Sequence, residues 1–303
     1  MSETAPQEEL DALLDGRRQV INIAYRLLGS LADAEDAVQD AMARWYALPA
    51  GQRARIEKPA AWLSTVTSRI CLDQLRSARV RRERYVGQWL PEPLPEPAEW
   101  TDRGPNATAD PADRITLDES VSMAFLVVLD ALSPAERVAF VLHDVFRFSF
   151  ADVAEVTGRT PGACRQLAST ARRRVADARA AAAPTAQQAR IVRRFRRAWQ
   201  AQDLQALVGL LDPDAIATGD GGGVVPALPD PLHGAEPIAL LYRDLVRYST
   251  GTAILERTVN GRPGLVAQQY GAIATVFSFQ VVEERVTRIW AVRNPEKLRA
   301  WSA

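Results

Sequence analysis

The chain is poor in the residues that build metal sites and membrane spans. Cys71 and Cys164 are the only cysteines and lie far apart, which leaves no Cys-based zinc site and fits a reducing cytoplasm. His143 and His233 are the only histidines, which argues against a His-rich metal site. Lys58 and Lys297 are the only lysines, so almost all positive charge is Arg, the better residue for forked contacts to phosphate and guanine. No apolar run approaches the roughly 18 residues of a membrane span; Ala124 to Leu129 is about the longest. The N-terminal stretch is acidic and lacks an apolar core, so no signal peptide is expected. A cytoplasmic protein with no membrane partner, cofactor or metal is the expectation. Net charge is also missing: 37 Lys plus Arg balance 37 Asp plus Glu. That total argues against a uniformly basic nucleic-acid binder, but it does not exclude local patches.

What is present is ordinary globular composition, 47% hydrophobic and 24% charged, over 303 residues. At about 150 residues per domain this suggests two or three domains. The charges fall into blocks. Residues 1–15 carry five acids and no base, and residues 69–84 carry six Arg against Asp73 and Glu83. Residues 86–120 carry eight acids against Arg103 and Arg114, a net −6. Five Arg and no acid occupy 159–174, and five more Arg occupy 190–197. Pro91, Pro93, Pro95, Pro97, Pro105 and Pro111 mark residues 86–116 as a linker that cannot form regular helix. A second break falls around Pro184. The expected organisation is 1–85, a Pro-rich acidic linker at 86–116, 117–182, and 187–303.

The first two segments read as helical. Ala24, Leu27, Leu28 and Leu31, then Ala34, Ala37, Val38, Ala41 and Trp45, recur at helical spacing, and Leu63, Val66 and Ile70 continue the pattern. Ser133-Pro134-Ala135-Glu136 is a helix start, and Ser149 with Asp152 begins another. The third segment opens with helical stripes (Val192, Phe195, Trp199; then Leu204, Leu207, Leu210, Leu211) and turns strand-like from about Thr252, with a hairpin signal at Asn260-Gly261. Helices followed by a meander predict an α+β domain with a curved sheet wrapped around helices.

Three stretches carry chemistry. A short helix from Ser149 ends at Thr157-Gly158-Arg159. Thr160 then caps a second helix with Pro161 at its first position; Cys164, Leu167, Ala168, Ala171 and Val175 form its apolar stripe, and Arg165, Gln166, Ser169, Arg172 and Arg173 lie opposite. This is a helix-turn-helix pattern with a cationic second helix suited to the major groove. An αα-hairpin with a solvated Arg face is the plain alternative. Asp36 and Asp40, with Gln39 beside them, are a like-charge i, i+4 pair, which either awaits a basic partner or is a solvated helix face. The helix from Trp62 runs into Arg76, Arg79, Arg81, Arg82 and Arg84, and with Tyr85 nearby this suits duplex backbone and unstacked bases. Trp62 itself reads as core, and His143, in an apolar helix, as structural.

Together these stretches resemble an extracytoplasmic-function sigma factor of RNA polymerase. Ala24 to Asp40 looks like regions 2.1 and 2.2, Trp62 to Arg84 resembles regions 2.3 and 2.4, and Leu132 to Phe146 with the helix-turn-helix looks like region 4. The resemblance implies two all-α domains. Asp36, Gln39 and Asp40 would grip the clamp helices of the β′ subunit of core polymerase, with the β subunit a further partner. Arg76, Arg79, Arg81, Arg82 and Arg84 would contact the −10 element of promoter DNA, and the loop Leu48 to Pro59 would capture an extruded base. Thr160, Arg165, Gln166, Ser169, Arg172 and Arg173 would read the −35 element. The acidic linker would thread the polymerase's positively charged cleft.

Trp89-Leu-Pro-Glu-Pro-Leu94, Asp220-Gly221-Gly222-Gly223 and Asn294-Pro295-Glu296-Lys297-Leu298 look like marks of sigma-J-like factors. These carry a C-terminal SnoaL-like domain of the NTF2-like cone fold that regulates in cis by contacting or positioning the sigma domains. The family pattern often continues Asp-Gly-Gly-Gly-Lys; here Val224 follows. No enzyme is expected. Two alternatives stay open: a DNA-binding regulator that needs no polymerase, and a DNA reader fused to a SnoaL-type isomerase or cyclase. In the latter, Asp220 and His233 would work in a pocket lined by Trp199, Tyr242, Tyr270, Phe277 and Trp290. Binding of an unidentified small ligand in that pocket is a related reading. The Arg run at 190–197 has no role in the resemblance; a further DNA contact and a docking site for an acidic surface elsewhere in the chain both stay open.

Overall fold

The computed structural model describes residues 16–17, 19–82, 85, 87–96, 121–179, 183–248 and 251–301. The described residues up to Arg81 and from Val128 to Val175 form one compact unit; those from Arg82 to Val127 and from Ala176 onwards form the other. The N-terminal acidic block, residues 97–116 of the linker, residues 117–120 and Arg84 lie outside the described residues. So do the side chains of Arg79, Arg81 and Arg82.

The first unit is helical. Helix α1 (19–28) ends at Gly29, whose positive φ of 70° closes the turn. Ser30 then accepts a hydrogen bond from the Asp33 amide and caps α2 (Leu31–Ala47), which buries Leu31, Ala34, Ala37, Val38, Ala41 and Trp45. The short α3 (Ala50–Arg53) leads to α4 (Pro59–Arg82), where Trp62 meets Trp45 edge-on at 5.2 Å between ring centroids. The ring contact joins α4 to α2; Trp45 is buried, while Trp62, expected in the core, is only half-buried at its edge.

Helix α5 (Met123–Asp130) precedes α6 (Pro134–Phe140), which has the expected capping box between Ser133 and Glu136. One π-helical turn, Val141–Val145, follows. His143 sits there with Nδ1 2.8 Å from the Phe148 carbonyl and its ring stacked on Phe150 at 3.8 Å. A second capping box, Ser149 with Asp152, starts α7 (Phe150–Thr157), and Gly158 at φ 67° ends it. Thr160 Oγ1 accepts from the Ala163 amide at the head of α8 (Pro161–Arg179), which buries Cys164, Ala168, Ala171 and Val175.

Arginines join the helices of this unit. Buried Arg137 on α6 donates to the Leu27 carbonyl at the end of α1 and to Asp130, each at 2.8 Å. Arg26 lies 5.4 Å over the Phe146 ring, and Arg69 on α4 donates to the carbonyl and the carboxylate of Glu155 on α7.

The second unit is the expected α+β cone. Helices α9 (Thr185–Gln200), α10 (Leu204–Leu210) and α11 (Ala235–Tyr248) accompany six strands: β1 (Leu211–Asp220), β2 (Leu232–His233), β3 (Thr252–Val259), β4 (Arg262–Gln269), β5 (Ala272–Val282) and β6 (Arg285–Val292). A 3₁₀ segment, Pro295–Trp301, follows. The sheet order is β2-β1-β6-β5-β4-β3, with β1 parallel to β6 and every other pair antiparallel. Asn260 and Gly261 both take positive φ in the β3–β4 turn, as the Asn-Gly signal requires.

The sheet buries both faces at its centre. Inside the cone, Ile191, Phe195 and Trp199 of α9 and Tyr242 of α11 meet Leu265, Phe277, Phe279 and Ile289. The rings interlock edge-on, with Trp199 4.9 Å from Tyr242 and 5.3 Å from Phe277. Alternation then places Val266, Val276, Trp290 and Val292 on the other face, where they pack with Leu90, Met123, Leu298 and Trp301.

Three expectations change here. β1 was unforeseen: Leu211 begins a strand instead of ending a helix stripe. The strand exists because β6, more than sixty residues later, supplies its parallel partner. Tyr270 lines no cavity, being 90% exposed at the tip of the β4–β5 hairpin. Trp290 faces the outer layer, since it stands opposite Ser278 and out of phase with Phe277 and Ile289.

Candidate functional site

On α2 the buried stripe leaves Asp36, Gln39 and Asp40 on the outer side, all exposed. On α4, Arg76 is exposed and holds Asp73 at 3.2 Å one turn away. On α8, the cap at Thr160 and the buried stripe turn Arg165, Gln166, Ser169, Arg172 and Arg173 outward. Two of these are held by neighbours. Arg172 Nε donates to Asp144 at 2.5 Å, and the Arg165 guanidinium lies 5.1 Å over the Phe150 ring. These contacts limit the rotamers of the two long side chains.

The most developed site lies in the second unit. Asp220 ends β1 with no exposed surface, and its carboxylate is saturated. Oδ1 accepts from the Tyr85 hydroxyl at 2.6 Å and from the Gly222 amide at 3.0 Å. Oδ2 accepts from Lys297 Nζ at 2.6 Å and from the Leu90 amide at 2.9 Å. The ammonium of Lys297 also donates to the Leu90 carbonyl at 2.5 Å and lies 4.2 Å from the centroid of the Trp89 ring. A buried ion pair persists only when its remaining donors and acceptors are satisfied, and here backbone groups of the linker do so.

Further bonds extend the contact along the linker. Asn294 Nδ2 donates to the Tyr85 oxygen at 3.0 Å, and Trp301 Nε1 donates to the Pro93 carbonyl at 2.8 Å. Asn260 accepts from the Leu94 amide at 3.0 Å and donates its own amide back to the Leu94 carbonyl at 2.8 Å. Pro95 bridges Val259. Leu90 to Pro95 are all buried. Burial and the adjacent Asp220 carboxylate push the Tyr85 phenol up.

The glycines are explained by close approach. A Cβ on Gly222, which has φ 66°, would lie 2.5 Å from Asn294 Cγ, and one on Gly221 would lie 2.0 Å from the Val225 carbonyl oxygen. Val224, which follows the glycines, is 70% exposed, and the ammonium that meets Asp220 belongs to Lys297.

The structure thus gathers Asp220, Gly222, Asn294, Lys297 and Leu298 with Tyr85 and the linker residues Trp89, Leu90 and Pro93. Glu296 donates its amide to Asn294 Oδ1, and Pro295 opens the same 3₁₀ turn. The Tyr85 hydroxyl is engaged on both sides in this state, by Asp220 and by Asn294. Nor does Asp220 form a pair with His233. His233 is exposed and registers with Ile216, four residues back along β1 and roughly 13 Å away at strand rise. Asn260 and Trp301 were missed by sequence reasoning, since a hairpin Asn and a terminal Trp carry no local sign of a distant partner.

Residues 15–81 match the model of Sigma-70 region 2, and residues 122–175 that of Sigma-70, region 4. The chain is 40% identical over 301 residues to the ECF RNA polymerase sigma factor SigJ of Mycobacterium tuberculosis, covering 95% of this chain and 92% of that one. It is 35% identical over 287 residues to the probable ECF RNA polymerase sigma factor SigI of the same species, covering 93% and 92%. The crystal structure of the M. tuberculosis extracytoplasmic function sigma factor SigJ superposes with a TM-score of 0.76 at 33% identity, covering 96% of this chain and 98% of that one. The chain belongs to the extracytoplasmic-function RNA polymerase sigma factors.

Proposed function

We propose that this sigma factor is controlled in cis by its SnoaL-like cone, through the linker held at Asp220 and Lys297. The observation that carries the reading is that residues 87–95 form a layer of the cone: the outer face of the sheet is covered by Leu90, Leu298 and Trp301, and the linker backbone completes a buried ion pair. Met123, within the segment that matches region 4, packs in the same cluster.

In this reading Asp36, Gln39 and Asp40 bind the β′ clamp helices of core polymerase, where their exposure leaves them available. Arg76, Arg79, Arg81, Arg82 and Arg84 contact the −10 element. Thr160, Arg165, Gln166, Ser169, Arg172 and Arg173 read the −35 element, with Arg and Gln facing base edges and phosphates. Promoter opening comes from binding unpaired bases and uses no covalent chemistry. The protein acts in the cytoplasm, at the nucleoid, with polymerase.

In vitro transcription with core polymerase tests both parts. Reversing Asp36 and Asp40 to Lys is expected to abolish transcription. Asp220→Asn, and truncation after Val292, are expected to change transcript yield while promoter choice is kept. Unchanged yield across both would overturn the cis-control reading and leave the sigma reading intact.

A further inference from the structure

The Arg run on α9 takes no part in the site above. Its cationic residues make a stripe: Arg190, Arg193, Arg194 and Arg197 stand at i, i+3, i+4 and i+7 and are all exposed, while Ile191, Val192, Phe195, Ala198 and Trp199 are buried on the inner side. Arg190 pairs with Glu284, and Glu256 is held by Arg193 at 3.2 Å and Arg196 at 2.9 Å. These pairs tie α9 to the sheet, yet the Arg190 and Arg193 side chains stay 59% and 54% exposed. Arg194 and Arg197 have no ion-pair partner among the described residues. Five Arg against Glu256 and Glu284 leave a net +3 on this face.

Like charges at i, i+3 and i+4 disfavour the isolated helix by a few tenths of a kcal/mol each, so the stripe costs the free protein some stability. An anion laid along it would offset that cost. Seven residues of helix span about 10 Å, and B-DNA carries one phosphate per 3.4 Å of axis on each strand, so the stripe faces about three phosphates. Arg presents forked donors that match phosphate oxygens. The exposed ends of the helix offer Thr185, Ala186 and Gln200 and no aromatic ring, so stacking on unpaired bases is not provided for.

We infer that the α9 stripe is a contact for the phosphate backbone of duplex DNA, independent of sequence. It makes the cone a third DNA-binding element beside the two promoter-reading helices.

The test uses the full chain and an Arg194→Gln/Arg197→Gln variant, which disturbs no ion pair among the described residues and is expected to melt at or slightly above the wild-type temperature, since like-charge repulsion along the helix is relieved. Binding is measured to promoter and to unrelated duplex, with and without core polymerase, between 50 and 200 mM salt. On both duplexes the variant is expected to lower the slope of log K against log salt by about 2. A photo-crosslinker at position 194 is expected to label DNA. An unchanged slope, or labelling of a polymerase subunit alone, would overturn the proposal; the latter outcome would make the stripe a site for an acidic protein surface. A wild-type chain that fails to direct transcription would count against the sigma reading, while the slope on unrelated duplex still decides this one.

Discussion

Asp220 and Lys297, 77 residues apart, meet at 2.6 Å in the interior of the cone domain, and the linker backbone at Leu90 supplies one further partner to each. Any change that weakens the pair therefore weakens the hold on the linker, because neither charge tolerates burial alone.

Lys297→Ala leaves the Asp220 carboxylate buried without its counter-charge. It is expected to destabilise the second unit by about 3–5 kcal/mol. A double change to apolar residues of similar size, Asp220→Leu with Lys297→Met, is expected to cost less than the single one. Denaturant melts measure the stability, and limited proteolysis reads the exposure of residues 87–95. A single variant that melts like wild type would show that the pair does not hold the linker.

Gly222→Ala places a methyl group 2.5 Å from Asn294 and keeps a left-handed φ. A loss of more than about 1 kcal/mol is expected. Gly222→Ala combined with Asn294→Ala is expected to recover part of it, since the clash goes and the φ penalty stays. Thermal melts of the two variants decide the matter; no difference between them would place the cost in the backbone alone.

Tyr85 gives a pH dependence. Burial, then the bond to Asp220, push its phenol above the ordinary value near 10. The unfolded chain thus ionises at lower pH than the folded one. The stabilising effect is whole below about pH 10 and is lost as pH rises above it. Tyr85→Phe is expected to be less stable than wild type at neutral pH, with the gap narrowing above about pH 10. Tyr242, pushed up by burial alone, titrates in both proteins and cancels in the comparison. A gap that stays constant to pH 11 would refute the assignment.

Arg137 supports the first unit by its bonds to the Leu27 carbonyl and Asp130. Arg137→Ala leaves a buried carbonyl and a half-buried carboxylate without that partner, and a loss of about 3 kcal/mol is expected. Urea denaturation followed by the Trp45 and Trp62 fluorescence measures it.

Much of the helical part was legible in the residues. The stripe from Ala34 to Trp45, the caps at Ser133, Ser149 and Thr160, and the left-handed Gly158 act within a few residues of one another, so their pattern is complete in the local sequence. The Asn260-Gly261 hairpin was legible for the same reason. Charge blocks marked the linker and the Arg-rich helices, and the resemblance to sigma factors gave their order meaning. The cone was legible as helices followed by a meander, but not in its pairing. Leu211 reads as the end of a helical stripe, and β1 emerges only when β6 lies beside it.

The roles of several residues were decided only by the tertiary structure. Asp220 beside three glycines reads as a tight turn. Its buried state depends on Tyr85, Leu90 and Lys297, which lie up to 135 residues away. The Arg run on α9 divides into residues that tie the helix to Glu256 and Glu284 and residues left facing solvent, a division set by where two distant strands place their carboxylates. Periodicity, capping and turn chemistry are local energies and can be read along the chain. The pairing of charges and the burial of a linker are long-range, and they exist only once the chain has closed on itself.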